Sequence, residues 1–462
     1  MRASPLRLPV ALVLLGVALG GVLAGCGKGS HASVGESRTA ASGFGAAPQA
    51  PGVLGVETKN TTRLGGSDPA SDAAAVAEAV YPGFTPATRP QAVVLVNERD
   101  FPAALAASTL AAAPLGAPLL YAEGNSLPDV TAQALHAMRP IGASALGGAQ
   151  VIRIDTSAAL PDGLRARDVT AASATGAPAL GADGTTTGST AGTSTAAPGA
   201  PGADTTSSET TASNEAEPAA LAAAIERLAE TASGKHSHDV LVVASDAARA
   251  LQMPAASLAA ESRAPILLVT GSAVPAATRE ALRSLHDPTI YVVAPTTLHA
   301  SAYAALKRLG TVVHVSGGTG ARSAASAGAS SNPVANAISV ARFSHGSFGW
   351  GIHEAGHGLV FASAARPLDA PAAAPLAAHG DYAPLLLLED ATAIPAALTT
   401  YLSNIEPGYT EAVSPVREVY NHGWLIGDEH AISARAQAEL DTVLEIAPRQ
   451  PSEAEQSVSE AE

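Results

Sequence analysis

One pattern of segments occurs three times in this chain of 462 residues. Each copy has a short apolar run, an alanine-rich stretch, a second apolar run that begins at a proline, and a third segment opened by another proline. The copies span residues 93–135, 240–282 and 358–402. An internal repeat constrains the fold more strongly than any single motif, because every copy must adopt the same supersecondary unit.

The apolar runs predict strands of a parallel sheet, because they are continuous rather than alternating, as burial on both faces requires. Helical segments between them suit the right-handed crossovers of βαβ units. Apolar residues make up 47% of the chain but aromatic residues only 3%, so the core must come from Ala, Val and Leu. We therefore expect each repeat to be a small α/β layer sandwich with a parallel sheet, and the three repeats to pack on one another.

The first 25 residues predict a secretory signal. Arg2 and Arg7 form a basic start, residues 8–24 are apolar, and Gly25-Cys26 follows. The segment resembles the bacterial lipoprotein signal, in which the peptide is cut before the cysteine and the thiol carries a diacylglyceryl group. Cys26 is the chain's only cysteine, so an intramolecular disulfide is excluded. We expect a lipid anchor on Cys26 at the outer face of the cell membrane.

Composition predicts the organisation of the remaining chain. Segments rich in Gly, Ser and Thr have too few bulky apolar residues to offset the conformational entropy that they would lose on folding. We therefore predict that they are tethers and linkers. The predicted parts are a signal peptide (1–25), a flexible tether (26–61), repeat 1 (62–172), a disordered Thr/Ser/Gly-rich insertion (173–218), repeat 2 (219–315), a linker (316–331), repeat 3 (332–447) and an acidic tail (448–462).

The repeated segments resemble the cell wall-binding repeat of type 2, found as tandem triplets in surface proteins of Gram-positive bacteria. The family's pattern has a Phe-Pro-Asp-Ala-Leu-like segment, then Gly-Ala-Pro with an apolar strand, then Ser-Leu-Pro. The matching stretches are Asp100-Phe101-Pro102, Gly116-Ala117-Pro118 and Ser126-Leu127-Pro128 in repeat 1, Ala264-Pro265-Ile266 and Ala273-Val274-Pro275 in repeat 2, and Ala383-Pro384-Leu385 and Ala393-Ile394-Pro395 in repeat 3. Repeats 2 and 3 lack the Asp-Phe-Pro element, and an Arg-Tyr-containing segment of the family is missing after Arg63.

The resemblance implies an α/β fold of three Rossmann-like repeats, with parallel sheets packed as a pseudo-threefold array that closes into an internal pseudo-trimer. It also implies a non-enzymatic module that holds a cell-wall polymer, either an anionic glycopolymer or peptidoglycan. No cofactor is implied, and we expect a monomer. The formal charge of −15 gives no bulk attraction to nucleic acid. An anionic polymer would therefore need a local basic patch.

Open parallel sheets bind ligands at the carboxyl ends of their strands, and polar residues cluster there in every repeat. The same residues also suit helix caps, which is the simpler interpretation. The candidate ligand-binding residues are Asn97, Asp100, Ser126, Ser245, Ser272, Ser363 and Thr392.

Two other motifs offer alternative functions. His353-Glu354-Ala355-Gly356-His357 is a literal HExxH, which binds zinc in metalloproteases when it lies on a helix. The glycines around it disfavour a helix and favour a loop with two exposed histidines, so no metal site is predicted. Residues 317–320 could suggest a phosphate-binding loop, but a linker composition follows instead of a helix. A third possibility is a small-molecule-binding lipoprotein with its ligand at the strand ends.

Overall fold

The computed structural model describes residues 56–175, 206–316, 331–380, 382–409 and 419–448. Cys26 and the predicted signal peptide, most of the tether, residues 176–205 of the insertion, nearly all of the linker and the acidic tail lie outside the described residues. The first part of the chain contains β1 (Val56–Glu57), β2 (Thr61–Leu64), α1 (Pro69–Val80), β3 (Val93–Asn97), α2 (Phe101–Ala107), β4 (Leu119–Ala122), α3 (Asp129–Met138), β5 (Val151–Ile154) and β6 (Ala166–Val169).

The second and third parts repeat this order with small additions. Repeat 2 contains α4 (Thr206–Ser233), β7 (Asp239–Ala244), α5 (Arg249–Gln252), α6 (Pro254–Ser262), β8 (Ile266–Val269), α7 (Ala276–Ser284), β9 (Thr289–Val292), α8 (Ala300–Leu306) and β10 (Thr311–His314). Repeat 3 contains α9 (Pro333–Arg342), β11 (Gly358–Ser363), α10 (Asp369–Ala378), β12 (Leu385–Leu388), α11 (Ala396–Asn404), β13 (Gly408–Tyr409), β14 (His422–Ile426), α12 (Ala434–Val443) and β15 (Ala447–Pro448).

Three parallel four-stranded sheets form the framework, and helices flank each of them. The strand orders are β4-β3-β5-β6, β8-β7-β9-β10 and β12-β11-β14-β2, with β1 added antiparallel to β2. Their central strands are buried on both faces, as the continuous apolar runs predict. The predicted class, three Rossmann-like α/β repeats, is confirmed.

The three sheets share one register and one backbone detail. The first two strands of each repeat align through the pairs Val94–Leu119, Leu241–Ile266 and Val360–Leu385. One residue just after the third strand has a left-handed backbone in every repeat, with φ of 47° at Asp155, 50° at Ala294 and 95° at Gly427. By strand register these three positions are equivalent. A positive φ is uncommon for residues other than glycine, so its recurrence at one position identifies the three units as copies of one structure.

The fourth strand of the third sheet comes from the opposite end of the folded chain. Strand β2 pairs in parallel with β14, so that Thr62 lies opposite Trp424. The elements differ from two of the predicted boundaries. Strand β1 begins at Val56, inside the predicted tether, and β2 begins at its last residue, Thr61, so the third sheet includes residues 61–64. The insertion also ends earlier than predicted, because α4 begins at Thr206.

Small side chains let the three repeats pack closely. The second helices α2, α6 and α10, with the 3-10 turn that extends α2, contact one another across the repeats. Ala111, Ala260, Ala374 and Ala377, drawn from all three repeats, are buried together in one cluster there. The first helix of each repeat then bridges two units, because α4 contacts α2 and β8, α9 contacts α6 and β12, and α1 contacts α10 and β4. The contacts therefore follow a cycle, as a pseudo-threefold arrangement requires.

Arg63 fastens β2 to repeat 3. Its side chain is 2% exposed. The guanidinium donates to the carbonyl oxygens of Gly427, Asp428 and Ile432 at 2.9, 2.8 and 2.6 Å, and to Oε1 of Gln437 at 2.9 and 3.1 Å. Five N–H donors directed at fixed acceptors use the full capacity of the group.

No helix of the described residues is both long enough and apolar enough to cross a membrane.

We predict that Arg63→Ala lowers the free energy of unfolding by about 3 kcal/mol, because it leaves buried carbonyl groups unpaired and a cavity behind. Urea denaturation followed by circular dichroism measures the change. The matched control is Arg435→Ala, since Arg435 is 80% exposed and pairs only with Glu439 on the same helix. Equal stability of the two variants would show that Arg63 does not hold the repeats together.

Candidate functional site

The predicted ligand-binding residues of repeat 1 are engaged in local turns. Oδ1 of Asn97 accepts the backbone N–H of Arg99 at 3.1 Å. Asp100 caps α2, and its Oδ1 accepts the N–H of Ala103 at 3.0 Å. The backbone N–H and C=O of Ser126 both bond across a turn, at 3.0 Å. Each residue therefore has a structural role at the end of its strand.

The candidates of the other two repeats behave in the same way. Oγ of Ser245 donates to a backbone carbonyl of the neighbouring strand at 3.0 Å. The carbonyl of Ser272 accepts a serine hydroxyl at 2.7 Å, and Oγ of Ser363 accepts a backbone N–H at 3.3 Å. Thr392 donates its N–H to Oδ1 of Asp390 at 2.7 Å. These seven residues lie at or after strands of three different sheets, and each takes part in a local hydrogen bond.

The HEAGH stretch lies in a loop, as its glycines predict. Gly351 and Gly356 have φ of 63° and 105°, which an α-helix excludes. Nδ1 of His353 accepts the Nε–H of Arg342 at 3.4 Å. The side chain of Asn421 fixes the loop by accepting two backbone N–H groups through its Oδ1 at 2.9 and 3.1 Å. Within the described ranges, no three His, Cys, Asp or Glu side chains are grouped so that they could hold a metal ion.

A charged cluster lies where repeat 3 meets repeat 1. Asp72 of α1 and Asp369 of α10 are both fully buried. The guanidinium of Arg366 hydrogen-bonds to Asp72, donates to Oδ2 of Asp369 at 3.1 Å and lies 3.9 Å from Asp428. Burial raises the pKa of Asp72 to about 6, against the opposing effect of Arg366. Burial and the neighbouring Asp72 carboxyl raise the pKa of Asp369.

An open cleft of about 390 Å³ lies between repeats 1 and 2. We call it the 1–2 cleft. It lies at the amino ends of the strands, since Ser237 and Pro265 stand just before β7 and β8. The prediction of a ligand at the carboxyl ends did not identify it. Its lining includes the apolar residues Leu110, Ala112, Ala113, Pro114, Leu115, Ala229 and Ala232, and the polar residues Thr109, Glu226, Glu230, Ser233, Lys235, His236 and Arg263.

Glu226 is the unusual member of this lining. Its side chain is 1% exposed, and among the described residues its carboxyl oxygens have no hydrogen-bond partner other than the carboxyl of Glu230, with which Glu226 can share a proton. Burial, and then the neighbouring Glu230, raise the pKa of Glu226 to about 8. Glu230 itself contacts Nδ1 of His236 through Oε1 at 2.8 Å. Lys235, His236 and Arg263 are exposed at the rim, so the cleft carries acidic groups inside and basic groups outside.

The two corresponding interfaces are filled by aromatic side chains. Between repeats 3 and 1, Tyr81 packs against His379 with ring centroids 5.5 Å apart, and a Cβ on Gly116 would lie 2.8 Å from its hydroxyl oxygen. Between repeats 2 and 3, Trp350 packs against the alanine cluster and donates its indole N–H to the carbonyl of Tyr382 at 2.6 Å. Positions 116, 263 and 382 are equivalent, because each precedes by two residues the proline before the second strand.

Comparison with known proteins agrees with this architecture. Residues 63–157, which lie in the first repeat, match the model of the family described as cell wall binding domain 2 (CWB2). The fold is similar to that of Cwp6 from Clostridium difficile, with a TM-score of 0.53 and 16% identity over 88% of this chain and 53% of that chain. It is also similar to Cwp8 from the same organism, with a TM-score of 0.52 and 14% identity over 84% and 52% of the two chains. The chain thus spans about half the length of each. No curated protein matches it.

We predict that Asp72→Asn changes how stability depends on pH. A carboxyl whose pKa is raised on folding keeps its proton in the native state while the unfolded chain loses it, so stability falls as the pH rises from about 4 to about 6. The Asp72→Asn variant has no carboxyl at this position, so it lacks this loss of stability. Its stability relative to the unsubstituted protein should therefore improve by about 1.4 kcal/mol per pH unit across that window and level off above it.

Urea denaturation at pH 4, 5, 6 and 7 measures this difference. Asn is a compatible side chain here, because repeat 3 has the buried Asn336 at the equivalent position, three residues after the proline of its first helix. A stability difference that is constant across the four pH values would show that folding does not raise the pKa of Asp72.

Proposed function

We propose that this chain is a lipid-anchored envelope protein whose three repeats bind a cell-wall polymer without catalysing a reaction. The observation that carries the proposal is the match of the first repeat to cell wall binding domain 2, together with two further copies of the same α/β unit. A binding module needs a rigid frame and an open groove. The closed cycle of repeats supplies the frame, and the 1–2 cleft supplies a groove.

The charge distribution favours the 1–2 cleft as the polymer site. The chain carries a formal charge of −15, which would repel an anionic polymer from most of its surface. Lys235, Arg263 and His236 provide basic groups at the rim, where they are exposed to solvent. The apolar walls can receive sugar or peptide groups, and a volume of about 390 Å³ is within the usual range for small-ligand sites.

A lipid anchor on Cys26 would keep the module at the membrane while the repeats reach the wall. This part of the proposal rests on the sequence, because Cys26 lies outside the described residues. Two acyl chains are enough for stable anchoring, since each buried CH₂ contributes about 0.8 kcal/mol. Residues between Cys26 and β1 would span the distance from the membrane to the folded repeats.

The same cleft favours a second candidate, a lipoprotein that binds a free small molecule. In that case purified protein would bind the soluble ligand but would not be retained by intact walls. The HEAGH metalloprotease is not proposed, because its histidines lie in a loop and not on one face of a helix.

We predict that purified protein sediments with purified Gram-positive cell walls at low salt, and that the double variant Lys235→Gln/Arg263→Gln binds about fivefold more weakly. Each exposed charge contributes about 0.2–1 kcal/mol to such a contact, and 1.4 kcal/mol corresponds to a tenfold change. Retention should fall as salt is added, because salt screens exposed charges.

The matched control is Lys307→Gln/Arg308→Gln, which removes the same two charges at exposed positions after α8. It should bind walls like the unsubstituted protein. Absence of retention at low salt would overturn wall binding, and equal losses in the two double variants would overturn the 1–2 cleft as the site.

We also predict that Cys26→Ala, in the full chain with its signal, moves the protein from the membrane fraction to the soluble fraction. The change removes the only thiol that could carry the lipid. Cell fractionation followed by immunoblotting measures it, with Ser30→Ala as a control next to the site. A variant that stays in the membrane fraction would refute the lipid anchor and leave wall binding untouched.

A further inference from the structure

We propose that the 1–2 cleft binds a ring-sized ligand that carries a free, protonated amine, with Glu226 and Glu230 receiving the amine. The inference deepens the proposed function and rests on it for the source of the ligand: it identifies the bound wall component as an amino sugar whose amine is not acetylated. The argument has a steric part and an electrostatic part.

The steric part comes from comparing equivalent positions in the repeats. Tyr81 lies 12 residues after Pro69, the first residue of α1, and Glu230 lies 12 residues after Pro218 in α4. The ring of Tyr81 occupies the space between positions 116 and 379. The equivalent positions in the 1–2 cleft are 263 and 113, and both line the open space. The cleft therefore has room for one six-membered ring that the protein itself does not supply.

The electrostatic part comes from Glu226. It lies eight residues after Pro218, where the other two repeats have Ala77 and Ala341, both fully buried. The fold therefore accepts alanine at this position, and the glutamate is not needed for packing. A carboxyl buried beside a second carboxyl is destabilising, and native proteins rarely retain such a pair without a role. A cationic donor from a bound ligand would take the place of the proton that the two carboxyls share.

A cation fits this position better than a neutral donor does. Glu230 is the next acidic residue along α4, one helical turn away, and two adjacent carboxyls attract an ammonium group more strongly than a hydroxyl. The other charged groups nearby are Arg227 on the same helix, Lys235 and His236 after it, and Arg263 at the end of α6. The exposed basic groups at the rim would face the anionic groups of the polymer, and the carboxyls would face its amine.

Binding of the amine should also release a proton from the site to the solvent. Burial and Glu230 keep Glu226 protonated at pH 7 in the free protein, since its pKa is raised to about 8. An ammonium group favours the ionised carboxyl, so binding at pH 7 should release a proton. A neutral sugar has no such effect, which gives the proposal a signature that simple packing would not produce.

Isothermal titration calorimetry with glucosamine and N-acetylglucosamine tests the proposal, because the two sugars differ only in whether the amine is free. We expect glucosamine to bind at least about tenfold more tightly, as loss of a charge-assisted pair would cost about 1.4 kcal/mol or more. Titration in two buffers of different ionisation enthalpy should show proton release for glucosamine alone. Equal affinity for the two sugars, or no proton release, would overturn the inference.

Three variants test whether Glu226 and Glu230 cause the preference for glucosamine and the proton release. Glu226→Gln and Glu226→Ala should lose the preference for glucosamine and the proton release while remaining folded. Glu230→Tyr places in the cleft the residue that repeat 1 has at that position, and it should abolish binding of both sugars. The control is Glu280→Gln, at an exposed position on α7, which should bind like the unsubstituted protein. An unchanged preference in Glu226→Gln would contradict the assignment.

The outcomes also separate this inference from the proposed function. Retention by walls without a preference for glucosamine would overturn the amine site and leave wall binding intact. A preference for glucosamine without retention by walls would overturn wall binding and support the amine site as that of a small-molecule-binding protein.

Discussion

The pairing of β2 with β14 joins the beginning of the folded chain to its end, and the arrangement of all three repeats depends on it. Without β2 the third sheet would lack its fourth strand, and α1 would no longer be held against α10. Arg63 strengthens this junction from within the strand, because its guanidinium satisfies several carbonyl groups of the loop after β14. Three small α/β units, each with a modest core, thereby become one closed cycle in which every unit buries surface against two others.

The three junctions are alike in backbone and different in side chains. Between repeats 3 and 1, Tyr81 fills the space between the units, and the buried Asp72–Arg366–Asp369 cluster fixes the helix ends. Between repeats 2 and 3, the side chain of Trp350 fills the corresponding space. Between repeats 1 and 2 the space is open and acidic inside. Two junctions are therefore closed by side chains, and the third is the one at which we propose that binding occurs.

The sequence predicted most of the fold because its central strands are continuous apolar runs. The first two strands of each repeat lie in the predicted segments 93–135, 240–282 and 358–402, with a helix between them and another after them. The edge strands β2 and β6 were not predicted as strands. Strand β6 exposes three of its four residues, so it has no apolar run to find, and β2 contains Arg63, whose burial depends on partners more than 360 residues away. Pairing between distant parts of the chain cannot be read from local patterns.

The candidate site was harder to predict than the fold. Polar residues after each strand were candidates for ligand binding, yet they form caps and turns, because a strand end and a helix start both need such residues. The 1–2 cleft depends on which side chains are missing from one junction and present in the other two. A signal was available in Glu226, a charged residue at a position where the aligned repeats have alanine. The meaning of this glutamate becomes clear only when the burial of its side chain is known.

A crystal structure of the protein soaked with a wall-derived oligosaccharide that contains glucosamine would test the central claim most directly. That claim is that the one unfilled junction of a closed three-repeat cycle is the binding site. We expect density for the sugar between repeats 1 and 2, with its amine within hydrogen-bond distance of Glu226 and with Tyr81 and Trp350 still filling the other junctions. Density at the carboxyl ends of the strands, or a third sheet without β2, would contradict the account.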